Sequence, residues 1–170
     1  ARLHLLWLDE RAVPPGHADR NDAPTLAAWN AGGAPPAHVH PMPAERADLD
    51  AAAAEYAAVL ASFGGAPDAC LVGMGEDGHV ASLFPHHPLL GDVALVAPIH
   101  DSPKPPPRRL TMTFAAITPA ACIAVLALGA GKAAALAAAR RGADRAVPAS
   151  LLPAERTVWF VDDTCQGALR

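Results

Sequence analysis

The residues best suited to chemistry lie in a glycine-rich turn, residues 73–79, which follows a short apolar segment. His79 ends this turn, and an imidazole can accept or donate a proton near neutral pH, as a general base or acid must. Gly75 and its neighbouring glycines allow backbone conformations that direct N–H groups at a ligand oxygen. The turn therefore predicts a site at which His79 moves a proton beside backbone donors. The same residues also allow a plainer interpretation, in which His79 only caps the turn.

Charged residues follow two other apolar segments of the chain. Asp9 and Arg11 come directly after the first apolar segment, and Lys132 follows a glycine-rich turn that opens an alanine-rich stretch. Arg11 and Lys132 would supply the positive charge that a phosphate group needs. Asp9 or Asp77 would either orient the imidazole or hold sugar hydroxyl groups. Alternatively, these charged side chains are simply solvated.

The elements that position these residues are short apolar strands that alternate with helical segments. This alternation predicts an α/β fold in which a mostly parallel, Rossmann-like sheet is flanked by helices, in a single domain over residues 1–170. Ligands of such sheets bind beyond the C-terminal ends of the strands. Strands are predicted over residues 3–8, 68–72, 94–99, 110–114, 122–128 and 157–161, helices over residues 22–32, 51–63 and 133–141, and irregular structure over residues 35–43.

Composition excludes several classes of protein. The chain has 170 residues, of which 52% are hydrophobic, and a net charge of −4. These values argue for one packed core and against disorder or a nucleic-acid partner. No apolar run is long enough to cross a bilayer, so we expect no membrane partner. Three widely spaced cysteines indicate neither a disulfide framework nor a thiolate zinc site, and favour a reducing, cytoplasmic compartment.

Three apparent cofactor patterns fail on inspection. The glycines of residues 73–78 match the dinucleotide pattern G-x-G-x-x-G, but Pro85 and Pro88 interrupt the helix that this motif requires. The turn at residues 129–132 lacks the Ser or Thr that completes a P-loop. Four histidines fall in proline-rich loops without the spacing of metal ligands, namely His38, His40, His86 and His87. We therefore expect no cofactor and no metal ion.

The segment over residues 73–85 resembles a known family signature. Its sequence, Gly-Met-Gly-Glu-Asp-Gly-His-Val-Ala-Ser-Leu-Phe-Pro, is similar to that of the 6-phosphogluconolactonases, within the glucosamine-6-phosphate isomerase/6-phosphogluconolactonase superfamily. Three further segments resemble the family in the same order. These are Asp-Glu-Arg at residues 9–11 with Asn21 after it, Pro-x-Arg-Leu-Thr around Arg109, and Gly-x-x-Lys ending at Lys132. The resemblance spans nearly the whole chain.

The resemblance implies an ester hydrolase that opens 6-phospho-D-glucono-1,5-lactone to 6-phosphogluconate in the pentose phosphate pathway, without cofactor or metal. It implies that His79 activates water, that Arg11 and Lys132 hold the phosphate, and that Arg109 supports them or orders the site. The expected site comprises the catalytic residues His79 and Asp9 and the substrate-binding residues Arg11, Asn21, Gly75, Asp77, Arg109 and Lys132.

Two alternatives remain open. Deaminases of the superfamily carry Phe-Asn-Glu after the Gly-His core, where this chain has Ser-Leu-Phe at residues 82–84, and they lack the Arg of Asp-Glu-Arg. Both differences favour the lactonase over an amino-sugar-phosphate isomerase or deaminase. A non-catalytic sugar-phosphate binding module is the second alternative, because the family's Ser-Gly-Gly-(Ser/Thr)-Pro phosphate loop has no counterpart here. We expect the strand and helix that carry this loop to precede Ala1.

Overall fold

The fold was determined as a computed structural model, which describes residues 3–33 and 37–167 and has α/β architecture. In these residues the strands are β1 (His4–Leu6), β2 (Asp9–Arg11), β3 (His38–His40), β4 (Ala69–Gly73), β5 (Val96–Ile99), β6 (Arg109–Met112), β7 (Cys122–Ala127) and β8 (Thr157–Val161). The α-helices are α1 (Asp22–Ala31), α2 (Leu49–Ala61), α3 (Phe114–Ile117), α4 (Ala133–Ala139) and α5 (Asp163–Gly167).

The strands form small sheets of two kinds. A parallel sheet has the order β4–β7–β8, and β1 pairs with β3, also in parallel. An antiparallel sheet has the order β2–β6–β5. The parallel pairs and flanking helices confirm the predicted α/β class, and the antiparallel sheet is an addition to it.

The core lies on one face of the parallel sheet. Val72 on β4 and both Ile123 and Val125 on β7 are buried, because alternate side chains of a strand point to the same face. From the helical side, α2 buries Tyr56 and Leu60 in the same core. Helix α2 begins where the carboxylate of Asp48 accepts the N–H of Ala51 at 3.0 Å, a standard N-cap contact.

The opposite face of the parallel sheet is partly open in the described residues. Leu71, between two buried neighbours on β4, is 71% exposed. Val158 and Phe160 on β8 are about half exposed. The sheet is therefore packed on one side and presents apolar side chains on the other. No helix in the described ranges is long and apolar enough to cross a bilayer.

Two predictions for the N-terminal third are wrong. The acidic and basic residues 9–11 do not end the first strand but form a strand of their own, β2, which pairs with β6. Within the segment predicted to be irregular, His38 and His40 lie on β3 rather than in a loop; residues 34–36 are outside the described ranges. A three-residue strand is stabilised by its partner strand rather than by its own sequence, which explains both errors.

Candidate active site

The turn after β4 holds the imidazole of His79 against the carboxylate of Asp77. Nδ1 of His79 lies 2.5 Å from Oδ1 of Asp77. Because an ionised carboxylate only accepts hydrogen bonds, Nδ1 carries the hydrogen, and Nε2 of a neutral ring has a free lone pair. Among the described residues Nε2 has no hydrogen-bond partner, and the His79 side chain is 17% exposed. The geometry suits a base that acts through Nε2.

Glycine is required in this turn by the imidazole itself. A Cβ on Gly75 would overlap the ring of His79 and lie 2.5 Å from Oδ1 of Asp77. The N–H of Gly75 donates to the carbonyl of His79 at 2.9 Å, and the N–H of Gly78 donates to that of Gly75 at 3.0 Å. Our expectation that Gly75 directs its N–H at a ligand is therefore wrong. Its role in this turn is to leave room for the ring.

The aromatic ring of Phe84 packs against the imidazole of His79. The rings of His79 and Phe84 have centroids 4.8 Å apart and planes inclined by 37°. The guanidinium carbon of Arg109 lies 5.6 Å from the centroid of the same Phe84 ring, within reach of a cation–π contact. Phe84 is fully buried and contacts both groups, so it gives the imidazole an apolar neighbour.

Asp9 contacts a serine and not the imidazole. The hydroxyl of Ser82 donates to Oδ2 of Asp9 at 2.7 Å and accepts from Nη1 of Arg109 at 3.3 Å. The same Nη1 lies 3.9 Å from Oδ2 of Asp9. Of the two carboxylates considered as partners of His79, the structure places Asp77 there. Ser82 was missed by sequence reasoning, and its place within the signature segment was the only available signal.

Arg109 is buried, and its guanidinium is hydrogen-bonded to the carbonyls of the loop at residues 104–106. Its side chain is 4% exposed. Nε donates to the carbonyl of Pro106 at 3.0 Å, and Nη2 donates to the carbonyls of Lys104 and Pro105, each at 3.0 Å. Of the two roles implied by the resemblance, these contacts favour ordering the site.

Arg11 lies on the same strand as Asp9, and Asn21 is hydrogen-bonded to Asp9. Arg11 is opposite Arg109 in the register of β2 with β6, and its Nη1 donates to the carbonyl of Asp19 at 2.5 Å. Nδ2 of Asn21 donates to the carbonyl of Asp9 at 2.9 Å and lies 3.5 Å from its Oδ1. The antiparallel sheet thus brings Asp9, Arg11 and Arg109 together, with Asn21 joined to Asp9.

A buried carboxylate pins the loop between β2 and α1. Glu10 is fully buried and accepts the N–H groups of Arg11, Asn21 and Asp22 at 2.8–3.0 Å. Nε of Arg20 lies 3.8 Å from Oε2 of Glu10. Sequence analysis did not identify Glu10 as a structural residue.

Lys132 lies in a turn that packs against the turn carrying His79. It ends the 3₁₀ turn Ala130–Lys132 that precedes α4. A Cβ on Gly131 would lie 2.6 Å from Oε1 of Glu76, so this turn packs against the turn that carries His79. Lys132 is half-buried, and among the described residues its amine forms no ion pair.

A second lysine, Lys104, lies close to the carboxylate of the Asp77–His79 pair. Nζ of Lys104 lies 3.5 Å from Oδ2 of Asp77. Burial would raise the pKa of Asp77, but the hydrogen bond and charge of His79, with the Lys104 ammonium, outweigh it and lower that pKa. Burial lowers the pKa of His79 and Lys104 adds to this, which outweighs the opposite effects of Asp77 and Asp9. The imidazole is therefore held in its neutral form to below its usual pKa of about 6.5.

Comparison with known proteins places the chain in a family. Residues 1–159 match the family model described as glucosamine-6-phosphate isomerases/6-phosphogluconolactonase. A 6-phosphogluconolactonase of Mycobacterium tuberculosis is 43% identical over 176 residues, which cover 95% of this chain and 71% of that protein. The chloroplastic 6-phosphogluconolactonase 3 of Arabidopsis thaliana is 38% identical over 185 residues, which cover 99% of this chain and 57% of that protein.

A solved structure gives the same assignment. The crystal structure of a 6-phosphogluconolactonase from Thermotoga maritima superposes with a TM-score of 0.79 and 29% sequence identity, over 94% of this chain and 72% of that one. Sequence relatives, the family model and the fold agree. The chain therefore belongs to the 6-phosphogluconolactonase family of ester hydrolases, within the glucosamine-6-phosphate isomerase/6-phosphogluconolactonase superfamily.

Proposed function

We propose that this chain hydrolyses 6-phospho-D-glucono-1,5-lactone to 6-phosphogluconate, in the oxidative branch of the pentose phosphate pathway, with His79 as its general base. The relatives named 6-phosphogluconolactonase support the reaction. The observation that carries the mechanism is the 2.5 Å contact between Nδ1 of His79 and Asp77, which leaves Nε2 to act.

The reaction needs a single group that first accepts a proton from water and then donates it to the ring oxygen of the lactone. Nε2 of His79 takes a proton from water while the water oxygen bonds to the lactone carbonyl carbon. The resulting imidazolium, still hydrogen-bonded to Asp77, returns the proton to the ring oxygen as the carbon–oxygen bond of the ring breaks. The product is the open-chain acid, which ionises. No covalent enzyme intermediate is required, because the lactone is itself an ester.

Charge around the ring supports these steps. The carboxylate of Asp9 raises the pKa of His79, although burial has the larger and opposite effect. Asp9 therefore stabilises the imidazolium that forms during the reaction, which is the catalytic role we assign to it. In the described part of the chain, Oδ1 of Asp9 receives only the 3.5 Å contact from Asn21, so it is also placed to accept a sugar hydroxyl. The N–H groups of Gly75 and Gly78 are engaged within the turn. The N–H groups of Glu76 and Asp77, which have no acceptor among the described residues, and the site's cations are therefore the candidates for stabilising the oxyanion.

Substrate binding falls to the cations that the structure leaves available. In the described residues the side chain of Arg11 makes one hydrogen bond, to a carbonyl, and its Nε is buried without a partner. Lys132 has no ion pair there. We assign the phosphate group to these two side chains and the sugar hydroxyls to Asn21 and Asp9. Arg109 has its donors committed to a loop and serves the site by ordering it.

A coupled assay tests the proposed function. The lactone is supplied in the presence of 6-phosphogluconate dehydrogenase, and reduced nicotinamide is followed against the spontaneous hydrolysis of the lactone. We expect the chain to accelerate the reaction and to release no ammonia from glucosamine 6-phosphate. Ammonia release would identify a deaminase instead. A thermal shift with 6-phosphogluconate but no acceleration would identify a binding module.

A further inference from the structure

A lysine from a proline-rich loop contacts the carboxylate that orients His79. The loop, residues 102–107, lies within the connection from β5 to β6. Oδ1 of Asp77 receives Nδ1 of His79 at 2.5 Å, while Oδ2 of the same carboxylate lies 3.5 Å from Nζ of Lys104. Each oxygen of Asp77 therefore has its own partner, and the two partners come from distant parts of the chain.

The backbone around Lys104 is fixed by hydrogen bonds. The hydroxyl of Ser102 donates to the carbonyl of Lys104 at 2.9 Å, and the N–H of Ser102 donates to the carbonyl of Pro107, also at 2.9 Å. Arg109 donates to three consecutive carbonyls, beginning with that of Lys104. A lysine side chain loses considerable rotamer entropy when it is ordered, so a preformed loop reduces what must be fixed to the side chain alone. The buried guanidinium of Arg109 thus fixes the backbone at Lys104, whose side chain lies beside Asp77.

We propose that Lys104 is a positioning residue of the reaction. It holds Oδ2 of Asp77 so that the carboxylate stays aligned with Nδ1 of His79 and the imidazole stays neutral. The proposal rests on the proposed function, in which His79 is the base. Lys104 is 44% exposed, so its ammonium group faces both the carboxylate and the solvent side of the site. It acts through Asp77 and needs no contact with the substrate.

The charges that face His79 determine the sign of the effect. Asp77 and Asp9 favour the imidazolium, whereas burial and Lys104 oppose it. Arg109 contacts the same Phe84 ring as the imidazole, with its guanidinium carbon 5.6 Å from the ring centroid. Removing the charge of Lys104 leaves the Asp77 carboxylate unopposed and raises the pKa of His79. A general base must be unprotonated to act, so the acid limb of the pH–rate profile moves to higher pH.

The test uses three variants of the chain. Lys104→Gln removes the charge, Lys104→Arg retains it, and Arg108→Gln removes a charge from the residue that directly follows the loop. Arg108 is a matched control because it is exposed and donates to the carbonyl of Ala47 at 2.7 Å, away from the imidazole. The pKa of His79 is read from its ring resonances in an NMR titration, with the signal assigned by its loss in His79→Gln. The pH profile of kcat/KM is measured in parallel.

We expect Lys104→Gln to raise the pKa of His79 by about 0.5 to 1 unit, as loss of one nearby charge does. At a pH below both pKa values, kcat/KM should then fall roughly three- to tenfold, which is the same shift expressed as a rate. Lys104→Arg and Arg108→Gln should both retain the pKa and the profile of the unmodified chain.

Several results would overturn the proposal. One is an unchanged pKa of His79 in Lys104→Gln, and another is an equal shift in Arg108→Gln. A raised pKa with an unchanged kcat/KM profile would also reject a role of Lys104 in the reaction. If the unmodified chain proves inactive, the proposed function fails, but the NMR titration still decides whether Lys104 controls the imidazole. The two failures are therefore distinguishable.

Discussion

The imidazole of His79 is subject to opposing effects, and their balance sets the pH range of the proposed activity. The ring packs on buried Phe84 and is largely shielded from water, which disfavours its charged form. Asp77, in contact with Nδ1, favours the charged form. Burial is the larger effect, so the pKa of His79 is lowered. Activity that depends on the neutral ring should therefore be retained through neutral pH and lost only as the pH falls below this lowered pKa.

The first prediction concerns removal of the imidazole. His79→Gln leaves an amide of similar reach but no group that can accept a proton from water near neutral pH. We expect kcat to fall roughly 10²- to 10⁴-fold, the usual contribution of a general base. The coupled assay described above measures this loss after the spontaneous rate is subtracted.

The control for this prediction is an exposed histidine. His100 is more than half exposed, and its closest charged partner among the described residues is Asp50 at 3.9 Å. His100→Gln should leave kcat unchanged. A loss smaller than tenfold in His79→Gln would remove His79 from the mechanism.

At the residue scale, the sequence predicts which positions carry chemistry better than it predicts their contacts. The glycine-rich turn ending in His79 is recognisable because a site of this kind needs glycine and an imidazole close together in the chain. The partner of His79 was left open between Asp9 and Asp77. The contact of Asp9 with Ser82 joins residues 73 positions apart, and such a contact has no signature in local spacing. Lys104 was not predicted as a site residue, because proline-rich segments are usually interpreted as loops that only connect strands or helices.

At the scale of elements, the two faces of the short strand β2 have different roles: one contributes side chains to the candidate site and the other buries a carboxylate. Asp9 and Arg11 point to the face shared with Arg109 on β6, whereas Glu10 between them is buried on the other. A run of three charged residues does not show the apolar alternation from which strands are predicted. The strand forms because β6 pairs with it and because the buried carboxylate is surrounded by N–H donors. Neither condition can be read from residues 9–11 alone.

The second prediction tests this buried carboxylate. Glu10→Ala would leave the N–H groups of Arg11, Asn21 and Asp22 without their acceptor and remove a negative charge near Arg20. We expect the free energy of unfolding to fall by roughly 3 kcal/mol, as for other buried polar groups that lose a partner. Urea unfolding measures the change.

Two further variants make the comparison specific. Glu10→Gln should lose less stability, because its amide oxygen still accepts a hydrogen bond. Glu55, which pairs with Arg46 at 2.6 Å on the surface, provides the matched control. Glu55→Ala should change the free energy of unfolding by about 1 kcal/mol or less. Equal losses in Glu10→Ala and Glu55→Ala would contradict the anchoring role of Glu10.

At the scale of the whole molecule, helix α2 joins the sheets. It packs against β5 and β6 of the antiparallel sheet. In addition, the hydroxyl of Tyr56 accepts the N–H of Trp7 at 2.8 Å and donates to the carbonyl of His40 at 3.0 Å. Trp7 lies between β1 and β2, and His40 lies on β3. One buried phenol therefore connects the helix to both N-terminal strands and to β3.

The third prediction concerns this phenol. Tyr56→Phe leaves the buried N–H of Trp7 without an acceptor, and we expect a loss of about 1 to 3 kcal/mol in the free energy of unfolding. The slope of the urea transition should not change, because the surface exposed on unfolding is the same. A loss below about 0.5 kcal/mol would show that the hydrogen bonds of Tyr56 do not hold the sheets together.

The same residue gives the molecule an alkaline limit. Burial raises the pKa of Tyr56 above the ordinary value, an effect to which the charge of Glu10 adds and which the N–H of Trp7 only partly offsets. The folded state thus favours the neutral phenol, so its contribution to stability is present below about pH 10 and is lost as the pH rises further. Tyr56 is the single tyrosine of the chain, so phenolate absorbance reports on it alone. We expect that absorbance to rise together with the loss of circular dichroism; phenolate forming near pH 10 in a chain that is still folded would contradict the buried position.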